Sequence, residues 1–257
     1  MEEARGTGGG AALADALRYL NDLGWDTLYR TAGRPAAASE PVAGVRSVEG
    51  AVRGASGVGA AGTGTLSALE RGRLLVELAA EASGCERCEL ARGRTHVVFG
   101  SGDPNADLMI IGEGPGAHED RQGLPFVGPA GELLTKILLA IDRSREQVYI
   151  ANIVKCRPPQ NRDPRPEEVA ACRPYLERQI ALVEPRVVVA LGRVAAQTLL
   201  GNDLPVGRLR GDWWQVAGVP LRVTYHPAAL LRDPGLKRPT WEDMKVVRDR
   251  LRELAQA

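Results

Sequence analysis

The stretch Asp107–Gly112 (DLMIIG) is a short apolar run that ends in glycine. Similar runs follow at Val148–Val154 (VYIANIV), Arg186–Leu191 (RVVVAL) and Pro220–Tyr225 (PLRVTY). Short runs rich in Val and Ile are typical of strands that are buried on both faces of a sheet. We therefore predict four strands, spaced widely enough for a helix between each pair.

Helical patterns occupy the intervals between these strands. Apolar residues recur at helical spacing in five segments: Leu66–Ala82, Ala130–Ile141, Pro166–Val183, Val194–Leu200 and Thr240–Ala255. Strands that alternate with helices form βαβ units, so the sequence predicts an α/β fold of three αβα layers around a central, mostly parallel four-stranded sheet. Ligands of such folds bind at the carboxyl ends of the strands.

The first 65 residues differ in composition from the rest. A short amphipathic stretch, Leu13–Tyr29, predicts a helix, and residues 31–65 are rich in Gly, Ala, Ser and Pro, as in a flexible linker. We predict an N-terminal arm over residues 1–65 and a single domain over residues 66–257. The arm would dock loosely on the domain or bind a protein partner.

Length and charge narrow the class of protein. The chain has 257 residues, 44% of them hydrophobic, and no apolar run approaches the roughly 20 residues of a membrane helix. Its first residues, MEEARGTGGG, lack the apolar core of a secretory signal. We expect a cytoplasmic monomer with no membrane contact. A net charge of +1 does not indicate nucleic acid, although a local basic patch is compatible with it.

The four cysteines suggest a metal centre. Cys85 and Cys88 are separated by two residues, and Cys156 and Cys172 follow after a gap of 67 residues. Disulfides are rare in the cytosol, and a CxxC pair favours metal binding. Four thiolates suit zinc and a [4Fe–4S] cluster equally well, so the spacing leaves the choice of metal open.

Three polar features lie at predicted strand ends. The first strand runs into Gly112–Gly116 (GEGPG), where glycines permit close approach of a ligand to the backbone. Asn152 ends the second strand, and an amide in an apolar strand is costly unless it is hydrogen-bonded. His226 follows the fourth strand and precedes a proline. Each alone is compatible with a structural role, but together they indicate one site.

Taken together, these motifs resemble the family 4 uracil-DNA glycosylases, the iron–sulfur branch of the uracil-DNA glycosylase superfamily. The resemblance rests on GEGPG followed by LPFVG, on NIVKCRPPQNR, on VVVALG and on HPAALLR, and it covers the chain from about Leu66 to its end. It implies that the four cysteines hold a [4Fe–4S] cluster. It also implies hydrolysis of the bond between uracil and deoxyribose in single- or double-stranded DNA, after the nucleotide has been flipped out of the stack.

The resemblance assigns roles to the polar residues. Phe126 would stack on the flipped base, Asn152 would read uracil N3–H and O4, and His226, as a neutral imidazole, would stabilise the charge that develops on the leaving base. Glu113 and Glu119 are the candidates for positioning water, with Glu113 expected nearer the sugar and Glu119 nearer the C5 edge of the base.

The sequence departs from the best-known uracil glycosylases at two positions. Gly114 stands where those enzymes carry an aspartate, and Gly116 stands where they carry a tyrosine that blocks thymine. Gly114 is therefore expected to contact substrate through its backbone, and the general base stays open between the two glutamates.

The segment His226–Arg232 resembles a minor-groove wedge. Leu230 would fill the gap left by the flipped nucleotide, and Arg232 would reach a phosphate. A related branch traps uracil-DNA covalently through a histidine in a basic segment, but Val206–Gly211 has no histidine, which favours turnover. Two alternatives remain: a non-catalytic or covalently trapping uracil-DNA binder, and a redox or zinc protein in which the cysteines are the function.

Overall fold

The computed structural model describes residues 66–256. The predicted arm helix and linker lie outside the described residues. Within the described range no helix is both long and apolar enough to cross a membrane. The fold is the predicted three-layer α/β arrangement, with helices on both faces of a mostly parallel sheet.

The sheet has six strands: β1 (Ser101–Gly102), β2 (Leu108–Gly112), β3 (Tyr149–Asn152), β4 (Val187–Leu191), β5 (Trp213–Val216) and β6 (Val219–Thr224). Their spatial order is β1-β3-β2-β4-β6-β5. The four central strands are the predicted ones and are mutually parallel, whereas β1 and β5 add antiparallel edges.

The helices of the described part are α1 (Ala68–Ser83), α2 (Ala117–Gln122), α3 (Pro129–Ala140), α4 (Pro166–Val183), α5 (Arg193–Leu200), α6 (Val206–Leu209), α7 (Pro227–Arg232) and α8 (Lys237–Gln256). Helix α1 starts after Ser67, whose hydroxyl caps the Glu70 N–H while the Glu70 carboxylate accepts the Ser67 N–H. Helix α8 starts three residues before the predicted Thr240, since Pro239 is tolerated in a first turn.

Two apolar clusters fill the space on either side of the sheet. Met109 and Ile111 of β2 pack into a cluster with α1, α4 and α5. Leu108 and Ile110 of the same strand face α3 and α8. This alternation follows from the two-residue period of a strand, and it leaves the carboxyl edge of the sheet free for loops.

Candidate active site and metal centre

A cavity of about 540 Å³ opens at the carboxyl edge of the sheet. Loops after β2, β3, β4 and β6 contribute to its walls, as expected for the ligand site of a parallel sheet. The structure brings together there seven of the predicted site residues: Glu113, Gly114, Glu119, Phe126, Asn152, His226 and Arg232.

Asn152 lies at the floor of this cavity with an unused hydrogen-bond acceptor. The residue is 2% exposed, and its side-chain carbonyl Oδ1 has no hydrogen-bond partner in the part of the chain that the structure describes. A neighbouring glycine makes room for it: a Cβ at Gly112 would lie 2.5 Å from Asn152 Oδ1 and 2.6 Å from the Phe126 ring. A buried carbonyl without a partner costs free energy, so this position is suited to a ligand that donates a hydrogen bond.

Phe126 is held in a strained backbone conformation beside Asn152. Its φ of 54° is unusual for a bulky residue, and such outliers cluster at functional sites. Arg145 fixes the conformation by donating to the carbonyls of Pro125, at 2.7 Å, and Phe126, at 3.0 Å. The Phe126 and His226 rings lie 5.5 Å apart, tilted by 30°. The two rings thus contribute adjacent parts of the cavity wall.

Glu119 joins two loops of the site. One carboxylate oxygen accepts the N–H groups of Val127 and Gly128, each at 2.9 Å, and the other accepts the Gly116 N–H at 3.2 Å. Both oxygens of the carboxylate therefore accept hydrogen bonds from backbone N–H groups. The carboxylate thus joins the GEGPG loop to the loop that carries Phe126.

The Glu113 carboxylate lies in a different environment from that of Glu119. No protein donor to its carboxylate is found in the described residues, and burial, reinforced by the nearby Asp163 carboxylate, raises the pKa of Glu113 to about 7. Arg193 opposes this shift. A carboxyl group with its pKa near neutrality in a cavity is a candidate general base.

His226 is poised as a neutral hydrogen-bond donor. It lies immediately after β6 and caps α7, where its Nδ1 accepts the Ala228 N–H at 3.1 Å. Burial, together with the Arg232 charge, lowers the pKa of His226 to about 4, so the ring is neutral at pH 7. With Nδ1 as acceptor, the ring proton resides on Nε2, which is left to donate to a ligand. Gly192 permits this placement, because a Cβ there would lie 2.9 Å from His226 Cβ.

The assignment of Leu230 as a wedge is wrong. Helix α7 starts at Pro227, so positions 227 and 230 share the face that packs on the core, and Leu230 is fully buried. Leu231, the next residue, is 47% exposed on the opposite side. Arg232 is exposed and lines the cavity.

Several residues of the cavity had no predicted role, namely Asn161, Arg162, Asp163, Arg193 and Tyr225. Gln160 and Asn161 both have φ of 55°, which turns the loop after β3 back toward the cavity. Arg193 at the start of α5 forms an ion pair with Asp163 in this loop. For Asn161 and Arg162, the sequence contained a signal in the motif RPPQNR (Arg157–Arg162), because its polar residues follow the end of a predicted strand.

The four cysteines gather at a separate place, behind β3. All four are free thiols and line one small cavity. Burial raises the pKa of Cys156 to about 11 and that of Cys172 in the same direction. Two donors approach these sulfurs: the Lys155 N–H at 3.3 Å from Cys172 Sγ, and the Arg94 guanidinium at 3.6 Å from Cys156 Sγ.

This donor set fits an iron–sulfur cluster. Within residues 66–256, no three His, Cys, Asp or Glu side chains are arranged to hold a single metal ion. A [4Fe–4S] cluster is held by four thiolates, each on a different iron. N–H donors to the sulfurs are a further property of such sites.

Comparison with known proteins identifies the family. The family model described as "Uracil DNA glycosylase superfamily" matches residues 99–245, more than half of the chain. The chain therefore belongs to the uracil-DNA glycosylase superfamily. Similar proteins include type-4 uracil-DNA glycosylases of Sulfurisphaera tokodaii (42% identical; 68% of this chain and 84% of the relative covered), Saccharolobus solfataricus (42%; 68% and 85%) and Archaeoglobus fulgidus (43%; 67% and 91%). The resemblance to a type-4 uracil-DNA glycosylase is thereby confirmed.

Proposed function

We propose that this protein removes uracil from DNA by hydrolysis of the N-glycosidic bond and leaves an abasic site. The observation that carries the proposal is the unpartnered carbonyl of Asn152 at the floor of a cavity of about 540 Å³. The type-4 relatives support it by their name. Because a base inside a duplex is out of reach, the nucleotide would be flipped into this cavity.

Asn152 is the proposed reader of the base. Its free carbonyl accepts uracil N3–H while its amide N–H donates to O4. Cytosine presents the reverse pair at these positions, so it would leave buried polar groups unpaired, which is a strong basis for rejection. Phe126, with its ring against Asn152 across Gly112, would stack on the base.

His226 is the proposed stabiliser of the leaving group. Its Nε2–H would donate to uracil O2, where negative charge gathers as the bond breaks. With its pKa lowered to about 4, the ring is neutral at pH 7 and carries a single N–H, which the acceptor role of Nδ1 leaves on Nε2 as the donor to the base.

Glu113 is the proposed general base for the attacking water. The choice between the two glutamates follows from their environments: the Glu119 carboxylate is engaged by three backbone N–H groups, whereas that of Glu113 titrates near neutrality. Glu119 is reassigned to positioning the loop of Phe126. Gly114, which lines the cavity, would contact substrate through its backbone. A Cβ at this position would lie 2.8 Å from the Val154 side chain, so packing also favours glycine here.

The DNA-binding rim is proposed to include α7. Arg232 would contact a phosphate, and the exposed Leu231 replaces Leu230 as the residue that would enter the gap left by the flipped nucleotide. A cytoplasmic monomer acting alone on DNA stays a prediction.

Replacement of Glu113 by glutamine should change the pH dependence of excision. In the wild type, single-turnover excision should rise with pH through about 7 as Glu113 ionises, and then level off. The glutamine variant should excise uracil at least about 10²-fold more slowly above pH 7, and its rate should not rise with pH through this range. A raised folded-state pKa means that ionisation destabilises the fold, so the variant should also unfold at a higher temperature than wild type at pH 8, but not at pH 4. A wild-type pH profile in the variant would contradict the assignment.

The [4Fe–4S] cluster is proposed to be held by Cys85, Cys88, Cys156 and Cys172. When bound, the cluster would stabilise the segment behind β3, since metal binding contributes folding free energy. The residues that contact uracil lie in the other cavity, so the proposed reaction needs no electron from the cluster.

Replacement of Cys156 by alanine should abolish the cluster. Purified wild type should be brown and contain iron, whereas the variant should be colourless and less stable, since only three thiolates remain. Iron and zinc analysis beside a visible spectrum and a melting curve checks this. Zinc without iron in the wild type would show that the cluster assignment is wrong.

Residues 66–257 are proposed to carry the whole activity, with the arm of residues 1–65 dispensable. The test compares full-length protein and a variant lacking residues 1–65 on a uracil-containing oligonucleotide, followed by alkaline cleavage at abasic sites. Both should release free uracil at rates within about threefold of each other, because the composition of residues 31–65 is typical of a linker and no site motif lies in residues 1–65. Binding without release of uracil from either would favour a non-catalytic binder. Loss confined to the shortened protein, with its fold intact, would place the arm in the site.

A further inference from the structure

Lys155 is a buried lysine that lies between the active site and the cysteines. It is only 2% exposed, and lysine is rarely buried without a specific partner. In the sequence it stands between the base-reading Asn152 and Cys156. Neither the proposed chemistry nor the cluster uses its side chain directly, which raises the question of what the amine does.

The amine turns back to the end of β3. Lys155 Nζ donates to the backbone carbonyl of Asn152 at 2.8 Å, and it also donates to Gln179 Oε1. Gln179, fully buried on α4, donates in turn to the Phe99 carbonyl at 2.9 Å and to the Tyr149 hydroxyl at 3.2 Å. Each named member of this network has a partner, and a fully satisfied buried network holds its members rigidly.

The main chain of Lys155 is held by two hydrogen bonds of its own, separate from those of its side-chain amine. Its N–H donates to Cys172 Sγ at 3.3 Å, and its carbonyl accepts the Val98 N–H at 2.8 Å. Lys155 therefore contacts the thiol centre through its main chain and the end of β3 through its side chain. This arrangement joins the cysteine site to the residue that reads the base.

We infer that Lys155 is a positioning residue for uracil recognition, which holds the carbonyl of Asn152 so that the side-chain amide faces the base at the correct angle. The inference rests on the proposed function. A displacement of about 1 Å at a recognition group can cost about 10²-fold in rate. The anchored carbonyl belongs to the same residue as the unpartnered Oδ1, so a shift of one moves the other.

The test is the double variant Lys155→Met, Gln179→Leu. Removal of the amine alone would leave Gln179 Oε1 without a partner, and the double change avoids that cost. It also removes the donor to the Phe99 carbonyl and the Tyr149 hydroxyl, so a melting curve is measured beside the assays. The control is Arg71→Met. Arg71 is also a buried cation that donates to backbone carbonyls, those of Leu182 and Val183, but it lies on α1 away from the cavity.

The double variant should keep its iron and visible absorbance, yet excise uracil about 10²-fold more slowly in single turnover. Inhibition by free uracil should weaken by a similar factor, while affinity for abasic DNA, which lacks the base, should change less than threefold. Arg71→Met should lower the melting temperature and leave excision and uracil inhibition at wild-type values.

Two outcomes would overturn the inference. Unchanged uracil inhibition in a double variant that keeps its iron would show that the amine does not position Asn152. Loss of iron from the double variant would show that Lys155 supports the cysteine site instead. A wild-type protein that fails to release uracil would be a failure of the proposed function and not of Lys155.

Discussion

Replacement of His226 by alanine should slow the chemical step of uracil excision by about 10²–10³-fold, the scale for loss of one donor to a developing anion. The structure supports a large effect, because the proton on Nε2 is fixed by the acceptor role of Nδ1 toward Ala228. The ring therefore needs no reorganisation as charge develops on the base. Affinity for uracil-DNA should change far less, since this donor matters most in the transition state.

The measurement is single-turnover excision beside equilibrium binding to uracil-DNA. His118→Ala is the control, because His118 is an exposed histidine on α2 that does not line the cavity. In the wild type, His226 should give no titration between pH 5 and pH 8, since burial holds its pKa at about 4. An unchanged single-turnover rate in His226→Ala would make the residue structural and the leaving-group assignment wrong.

Much of the fold could be predicted from hydrophobic pattern alone. The central strands are short apolar runs buried on both faces, a pattern with few alternatives once helical segments separate them. The two edge strands, β1 and β5, could not be predicted because the sequence around each gives only a weak signal for a strand. Strand β1 has only two residues, and β5 joins β6 through Ala217 and Gly218, which both have positive φ. Such a two-residue hairpin turn favours Asn-Gly, so Ala-Gly gives a weak signal.

The site was predictable where its residues end strands and unpredictable where it depends on packing. Asn152 ends β3 and His226 follows β6, and both strands run parallel within one sheet, so the topology places the two residues at the same carboxyl edge. Leu230 was misassigned because its exposure depends on where a six-residue helix begins. Only the register of α7 distinguishes Leu230 from Leu231, and the two residues have the same side chain.

The two glutamates, Glu113 and Glu119, show a second limit on what the sequence alone can predict about the site. In the sequence, Glu113 and Glu119 lie in one polar loop with nothing to distinguish them. In the structure, three backbone N–H groups bind one carboxylate, while burial beside another acid raises the pKa of the other. Divergent environments of this kind separate a positioning carboxylate from a base, and they arise from loop packing that no spacing rule encodes.

Replacement of Asn152 by alanine should have the largest effect on excision of uracil. Both hydrogen bonds to the base would be lost, and two unsatisfied groups at about 1–3 kcal/mol each correspond to a loss in rate of roughly 30-fold to 10⁴-fold. The fold should survive, because among residues 66–256 Asn152 Oδ1 has no partner that the substitution would leave unpaired. The variant should therefore keep its visible absorbance and its melting temperature. Asn105→Ala, at an exposed loop position, is the control for loss of an amide.

Replacement of Asn152 by aspartate is the more specific change, because it keeps size and removes only the donor. A carboxylate still accepts from uracil N3–H but presents a second acceptor to O4, so uracil should become a poor substrate. Cytosine offers an N4 amino donor to that same oxygen, although its N3 would still need a proton. Single-turnover assays on uracil and cytosine oligonucleotides should therefore show a sharp fall in the ratio of uracil to cytosine excision, whether or not cytosine is measurably released. If either Asn152 variant excised uracil at the wild-type rate while retaining its colour, Asn152 would not read the base. A colourless alanine variant would instead make the residue a support for the cysteine site four residues away.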